Sequence, residues 1–132
     1  MNYLLDTHIL LWAFFETDKL TDRVRQIIAN RDNRIFVSSI SFWEISIKVN
    51  TGKLRIGTTS IDALPEVCEG AGFDVLPLSA IEASSFHQLT ATHHKDPFDR
   101  MLVWQAISNR HTLISDDENV RKYAASGLQV TW

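Results

Sequence analysis

The sequence predicts an α/β protein with a mostly parallel sheet and helices on both of its faces, and three observations lead there. Apolar runs of strand length recur along the chain, at residues 2–5, 34–38, 73–78, 112–115 and 128–132. Segments of helical period fill the gaps between them, and such alternation implies crossover helices packed over a parallel sheet. The third observation is size: 132 residues, 45% apolar and 22% charged, suit one globular domain spanning 1–132 whose core needs no covalent staple.

Taken in order, residues 2–5 set Leu4 and Leu5 before Asp6, the pattern of a buried strand that ends in a polar residue. Ile9–Phe15 is apolar nearly all round and reads as a buried helix, and Thr21 with Asp22 caps a helix over Arg23–Asn30. Arg34–Ser38 is the second strand. The cluster Ser38-Ser39-Ile40-Ser41 then offers several caps for a helix through Trp43, Glu44, Ile47 and Lys48 that Gly52 ends. Lys53–Thr59 shows no clear period, and Ser60–Gly70 reads as a helix that tolerates Pro65 in its first turn. Phe73–Leu78 is the third strand, and Ser79 caps a helix from Ala80 to about Thr90. Asp96 and Pro97 open a helix that reaches Ser108. Thr112–Ser115 is a strand, Asn119–Ala125 is helical, and Leu128–Trp132 is the last strand.

Composition excludes several functions. Cys68 is the single cysteine, so no intrachain disulfide forms. The N-terminus lacks a basic segment, and Asp6 and His8 interrupt its apolar stretch, so neither export nor a membrane association is predicted and the expected location is cytoplasmic. A net charge of −3 argues against gripping nucleic acid by bulk positive charge. Yet setting four of the 16 acids aside as metal ligands would bring the acids just below the 13 lysines and arginines, and bound cations would make such a site locally positive. The five histidines form no zinc-binding pattern, and neither a Gly-rich phosphate loop nor a Gly-x-Ser-x-Gly elbow is present. Trp12, Trp43, Trp104 and Trp132 fall in apolar neighbourhoods and read as core or interface residues.

Ligands of open α/β sheets bind beyond the carboxyl ends of the strands. Asp6 and Asp117 follow strands, Glu44 lies in the helix after the second strand, and Asp99 lies in the first turn of a helix, so all four can reach one rim and form a hard-cation site. Each also has a structural reading. Asp6 can cap the next helix, although Thr7 and His8 can do so instead. Glu44 stands four residues before Lys48, a helical ion-pair spacing, but its flanks Phe42, Trp43, Ile45 and Ile47 look buried, and an enclosed glutamate needs compensation. Asp96 is assigned the N-cap of its helix, which leaves Asp99 as a second acid in the same first turn. Asp116 and Asp117 can both cap the following helix, where one suffices; Asp117 is the preferred ligand and Asp116 the alternate. Arg100 is a candidate phosphate clamp or an exposed surface arginine, Ser115 can hold a water or a phosphate, and His94 lies behind the acids or on the surface.

The segments Tyr3–Trp12, Val37–Lys48, Gly52–Leu54, His94–Arg100 and Leu113–Asp117 together resemble the PIN-domain ribonucleases, and among them the VapC toxins of type II toxin–antitoxin systems. His94-Lys-Asp-Pro-Phe-Asp-Arg100 is the most specific of these segments. The resemblance implies a PIN-like three-layer α/β/α sandwich with a five-stranded parallel sheet. It also implies Mg²⁺ or Mn²⁺ dependence, with the catalytic, metal-binding acids falling on Asp6, Glu44, Asp99 and Asp117. Thr7, Arg100, Ser115 and Asp116 stand beside them as supporting or substrate-contacting residues. The implied activity is endonucleolytic cleavage of RNA, with transfer RNA an expected substrate, by a homodimer that a VapB-type antitoxin neutralises by laying its C-terminal segment across the site. Two other functions compete: a PIN-like protein-interaction module without catalysis, and a metal-dependent phosphatase of small phosphoesters. Retention of all four acids, which are costly to crowd without a metal, speaks against the first. His8, where Asp-nucleophile phosphatases carry a second acid, speaks against the other.

Overall fold

In a computed structural model describing Met1 to Trp132, the first strand of the chain becomes the centre of its sheet. β1 (Asn2–Leu5) pairs with β2 (Arg34–Ser38) on one side and with β4 (Thr112–Ile114) on the other, while β3 (Asp74–Leu76) and β5 (Gln129–Thr131) form the edges, giving the order β3-β2-β1-β4-β5. Every pairing is parallel, and Leu4 stands opposite both Phe36 and Leu113. A strand with neighbours on both sides and helices on both faces must be apolar throughout. Leu4 and Leu5 are accordingly fully buried.

Seven helices connect the strands: α1 (Thr7–Phe15), α2 (Asp22–Ala29), α3 (Ser39–Asn50), α4 (Leu64–Gly70), α5 (Ala80–Ser85), α6 (Pro97–Asn109) and α7 (Glu118–Arg121). Alternation along the strands splits the core into two layers. Tyr3, Leu5, Ile35 and Val37 pack with Ile9, Val24, Ile45 and Cys68 on one face. Leu4, Phe36 and Leu113 pack with Leu102, Val103 and Tyr123 on the other. The result is the predicted three-layer α/β/α sandwich with a five-stranded parallel sheet.

Several boundaries differ from the sequence reading, for local reasons. α1 begins at Thr7 because Asp6 itself is the cap, accepting from the Thr7 amide. The helix expected over Ser60–Gly70 divides into a 3₁₀ turn at Ile61–Ala63 and α4, with Pro65 in the first turn of α4, where its missing N–H costs nothing. β3 stops at Leu76, since Pro77 has no N–H for the ladder. α5 is only six residues long and tightens into a 3₁₀ turn at Phe86–Gln88, and α7 likewise passes into a 3₁₀ segment at Lys122–Ser126. One expectation about α3 is overturned: Trp43 and Ile47 are 60% and 39% exposed. The buried positions are Ile40, Ser41, Glu44 and Ile45, one face of the helical period, which leaves positions 43 and 47 together on the outside.

The topology creates the crevice. From β1 the chain moves outward through β2 to β3, and α5 and α6 then carry it back past β1 to β4. Connections leave β1 and β4 in opposite directions, which opens the sheet beyond the carboxyl ends of these two strands.

Candidate active site

Asp6 continues β1 into this crevice, its amide still donating to Ile114 at 3.0 Å. Its side chain is 2% exposed. Oδ1 accepts from the Thr7 amide at 2.8 Å and Oδ2 accepts from the Ser115 hydroxyl at 2.7 Å, so β1 and β4 jointly fix the carboxylate. Ser115 is held as well, because it also accepts from the Asp117 amide at 3.1 Å. The Thr7 hydroxyl shares a hydrogen with Ser41 at 2.9 Å, which ties the start of α1 to the start of α3.

Glu44 comes from the buried face of α3 and is 4% exposed. Its Oε2 accepts from Lys48 at 2.8 Å, the helical ion pair foreseen in the sequence, but Oε1 is buried without any hydrogen-bond partner. Asp99 projects from the first turn of α6, where Asp96 is the N-cap, its Oδ1 accepting from the Phe98 amide at 2.9 Å. Asp117 N-caps α7, with Oδ1 accepting from the Asn119 amide at 2.8 Å.

Asp6, Glu44, Asp99 and Asp117 line one cavity of about 350 Å³, together with Thr7 and Asp96. Within it, ligand atoms of Glu44, Asp96 and Asp99 lie within 4.8 Å of one another, as do those of His94, Asp99 and Asp117. Asp99 belongs to both groups. Its carboxyl is pushed up to about 8 by burial first and then by the negative charges of Asp6, Asp96, Glu44 and Asp117. Asp6 is also raised, chiefly by burial, against the opposing influence of His8, Ser115 and the Thr7 amide. A set of oxygen donors that suppresses its own ionisation, with one buried oxygen unpaired, fits a divalent cation.

Two residues named from the sequence face elsewhere. Arg100 donates to the Leu89 carbonyl at 2.7 Å and the Ala91 carbonyl at 3.4 Å and stacks over Phe86, so in this conformation those donors serve the segment after α5 instead of a phosphate. Asp116 is hydrogen-bonded to His8, whose other ring nitrogen stands 3.7 Å from Asp6. Two residues that the sequence reading weighted toward other roles also take part. Asp96 was assigned mainly to capping, yet it caps and lines the cavity. His94 brings Nε2, a buried atom without a hydrogen bond, to 3.8 Å from Asp99. Both residues stand in the His94-Lys-Asp-Pro-Phe-Asp-Arg100 run, but the capping role was sufficient explanation for Asp96 and hid its place in the cavity.

The profile of the PIN domain matches residues 3–126. The chain belongs to the PIN domain family. This PIN domain is 22% identical over 129 residues to Ribonuclease VapC22 of Mycobacterium tuberculosis, a match covering 98% of this chain and 97% of that protein. Among solved structures, it resembles a chain of VapBC2 from Rickettsia felis bound to a promoter DNA fragment, with a TM-score of 0.71 and 18% identity over 99% of this chain and 98% of that one. It also resembles VapBC-1 from nontypeable Haemophilus influenzae, with a TM-score of 0.67 and 23% identity over 99% and 97% of the two chains. No helix of the PIN domain is long and apolar enough to cross a membrane.

Proposed function

We propose that this PIN domain is a Mg²⁺-dependent endoribonuclease, with Mn²⁺ as an alternative ion, and the toxin of a type II toxin–antitoxin pair acting in the cytoplasm. The observation that carries the proposal is geometric: Asp6, Glu44, Asp96, Asp99 and Asp117 line one cavity, and Glu44 Oε1 is buried there without a hydrogen-bond partner. Such crowding is stable near neutral pH when a cation neutralises it. Asp6, Glu44, Asp99 and Asp117 are the residues that would hold the metal. When bound, a divalent ion supplies Lewis acidity and lowers the pKa of coordinated water.

The protein's own contribution is positioning. Ser115 and the Thr7 amide each occupy one lone pair of an Asp6 oxygen and leave the others free for a cation. Glu44 offers an oxygen that nothing else satisfies. Asp117 accepts from the Asn119 amide through Oδ1 alone and also lines the cavity. Oxygen ligands surround the site, and the reaction that fits a cation held among them is attack by water on a phosphodiester.

RNA as the substrate draws support from the ribonuclease among the relatives, and transfer RNA remains the expected class. An antitoxin partner draws support from the VapBC assemblies among similar structures. On this surface a groove of about 410 Å³ lined by Leu11, Trp12, Phe15, Leu54 and Ile56 adjoins the acidic cavity through Leu11 and Leu54, and it suits the apolar side of a VapB-type segment. The homodimer belongs to the same proposal, as the likeness to the VapC toxins implies.

The test is cleavage of a defined RNA by the purified protein, with the product ends sequenced. Cleavage should stop in excess EDTA, return with added Mg²⁺, and be absent from Asp6→Asn. Equal cleavage in EDTA, or by Asp6→Asn, overturns the proposal.

A further inference from the structure

A second groove, of about 490 Å³, opens beside the acidic cavity and shares Glu44, Lys48, Lys53 and Asp96 with it. Its walls are the end of α3 and the start of α6, and its other lining residues include Lys95 and Phe98. Three lysines thus overlook one path that leads out of a strongly acidic site. Lys48 is paired with Glu44, whereas Lys53 and Lys95 are exposed and have no carboxylate within 4.0 Å.

Lys53 is held by backbone geometry. Gly52 takes a φ of +76°, its amide donates to Val49 at 3.1 Å, and the Lys53 amide donates to the Lys48 carbonyl at 2.8 Å, the paired bonds of a Schellman cap. The chain reverses there, and position 53 comes to stand over both the groove and the acidic cavity. Lys95 stands directly before Asp96, whose capping bonds to the Phe98 and Asp99 amides fix the opposite wall. Phe98 lies in the same lining with part of its ring accessible, and Trp43 packs edge-on against it at 5.2 Å.

Resting on the ribonuclease reading above, we propose that this groove is the channel for a single-stranded RNA segment next to the cleaved bond, with Lys53 and Lys95 holding its phosphates and Phe98 offering a face for a base. The physical argument is charge. An RNA strand approaching a pocket of five acids meets repulsion that bound cations offset only locally, and unpaired lysines on the adjoining path supply attraction where the strand continues. The aromatic lining favours a single strand, because stacked duplex bases have no free face to offer.

The experiment measures binding of a fluorescent single-stranded RNA oligonucleotide by anisotropy across a salt series, with Mg²⁺ present and every protein carrying Asp6→Asn to prevent cleavage. Three proteins are compared: the Asp6→Asn parent, the parent with Lys53→Ala and Lys95→Ala, and a charge-matched control with Arg31→Ala and Arg110→Ala. Arg31 and Arg110 precede β2 and β4 at the amino ends of the strands, on the rim opposite the site. Loss of two phosphate contacts should lower the slope of log affinity against log salt by about 1.4 and weaken binding about tenfold in the lysine variant, with neither change in the arginine control. If the lysine variant matches the control while the protein with Asp6 intact cleaves RNA, the channel is overturned and the ribonuclease reading stands. If the parent binds no RNA and the protein with Asp6 intact cleaves none, the ribonuclease reading fails and the channel fails with it.

Discussion

Replacing Asp99 with asparagine should make the metal-free protein more stable, and the gain should grow with pH. The Asp99 carboxyl is raised from 3.8 to about 8, by burial and by Asp6, Asp96, Glu44 and Asp117. Below about pH 4 the group carries a proton in both the folded and the unfolded chain, and it adds no pH-dependent penalty. Above that, the unfolded chain releases the proton while the folded chain retains it, so stability falls as pH rises and levels off beyond about pH 8. At about 1.4 kcal/mol per tenfold change in proton affinity, the full difference amounts to roughly 5–6 kcal/mol. The side chain is 22% exposed, and water reaching it screens part of this interaction; taking about half leaves ~3 kcal/mol.

Asparagine keeps the shape and cannot ionise. In EDTA at pH 8.5, Asp99→Asn should therefore be about 3 kcal/mol more stable than the parent by urea denaturation, or about 10 °C higher in Tm for a chain of this size. The gap should narrow to about 1.6 kcal/mol at pH 5. Saturating Mg²⁺ should reverse the order, since a ligand that binds only the folded state stabilises it by an amount set by its affinity, and the variant has lost a ligand. A variant no more stable than its parent in EDTA at pH 8.5, or a gap of equal size at pH 5, would refute the reasoning.

Other positions give independent tests. Gly52→Ala should cost about 1 kcal/mol in chemical denaturation: no atom lies within 4 Å of the added Cβ, so the loss comes from the backbone at φ +76° and not from a clash. Glu82 accepts from the Ser79 amide, Gln105 and Asn109, and these bonds lower its pKa despite burial. Glu82→Ala should thus lose about 3 kcal/mol near pH 7, with the deficit shrinking as pH falls below the ordinary value of 4.5 and through the lowered one, which urea melts at pH 7 and pH 3 can check. Cys68 is fully buried and its thiol is pushed up to about 11 by burial, so a thiol reagent at pH 8 should label it only after unfolding in urea.

Much of this molecule was legible in the sequence because burial on both faces of the sheet forces apolar strands, and Leu4-Leu5, Ile35–Val37 and Leu113-Ile114 carry that mark plainly. Helix phase was less legible. In α3 the apolar residues, six of twelve, alternate with polar ones and mark no helical stripe, so the pattern could not tell that Trp43 and Ile47 face out while Ser41 and Glu44 face in; only the seating of the helix on the sheet decides this. Arg100 was illegible for a related reason. Its neighbour Asp99 points into the cavity, and consecutive helical residues diverge by about a quarter turn or more, which directs Arg100 toward the Leu89 and Ala91 carbonyls.

For Asp6, Asp96 and Asp117 the sequence set a capping role against a place in a cation site, and the geometry makes the two roles compatible. Asp6, Asp96 and Asp117 all cap with Oδ1 while lining the cavity, because a carboxylate has two oxygens and a cap needs one. Capping has a second consequence: the amino ends of α1, α6 and α7 are gathered around the acids, and their partial positive charges offset some of the crowding. Each such end is worth about 0.3–1 kcal/mol, least for the four-residue α7, so together they supply no more than about 2–3 kcal/mol. That is comparable with the roughly 3 kcal/mol that remains for ionising Asp99 once screening by water is counted. The helix ends therefore hold the acids together and offset most of their crowding, while the Glu44 Oε1 atom, buried without a hydrogen-bond partner, is left for a cation to satisfy under the proposed function.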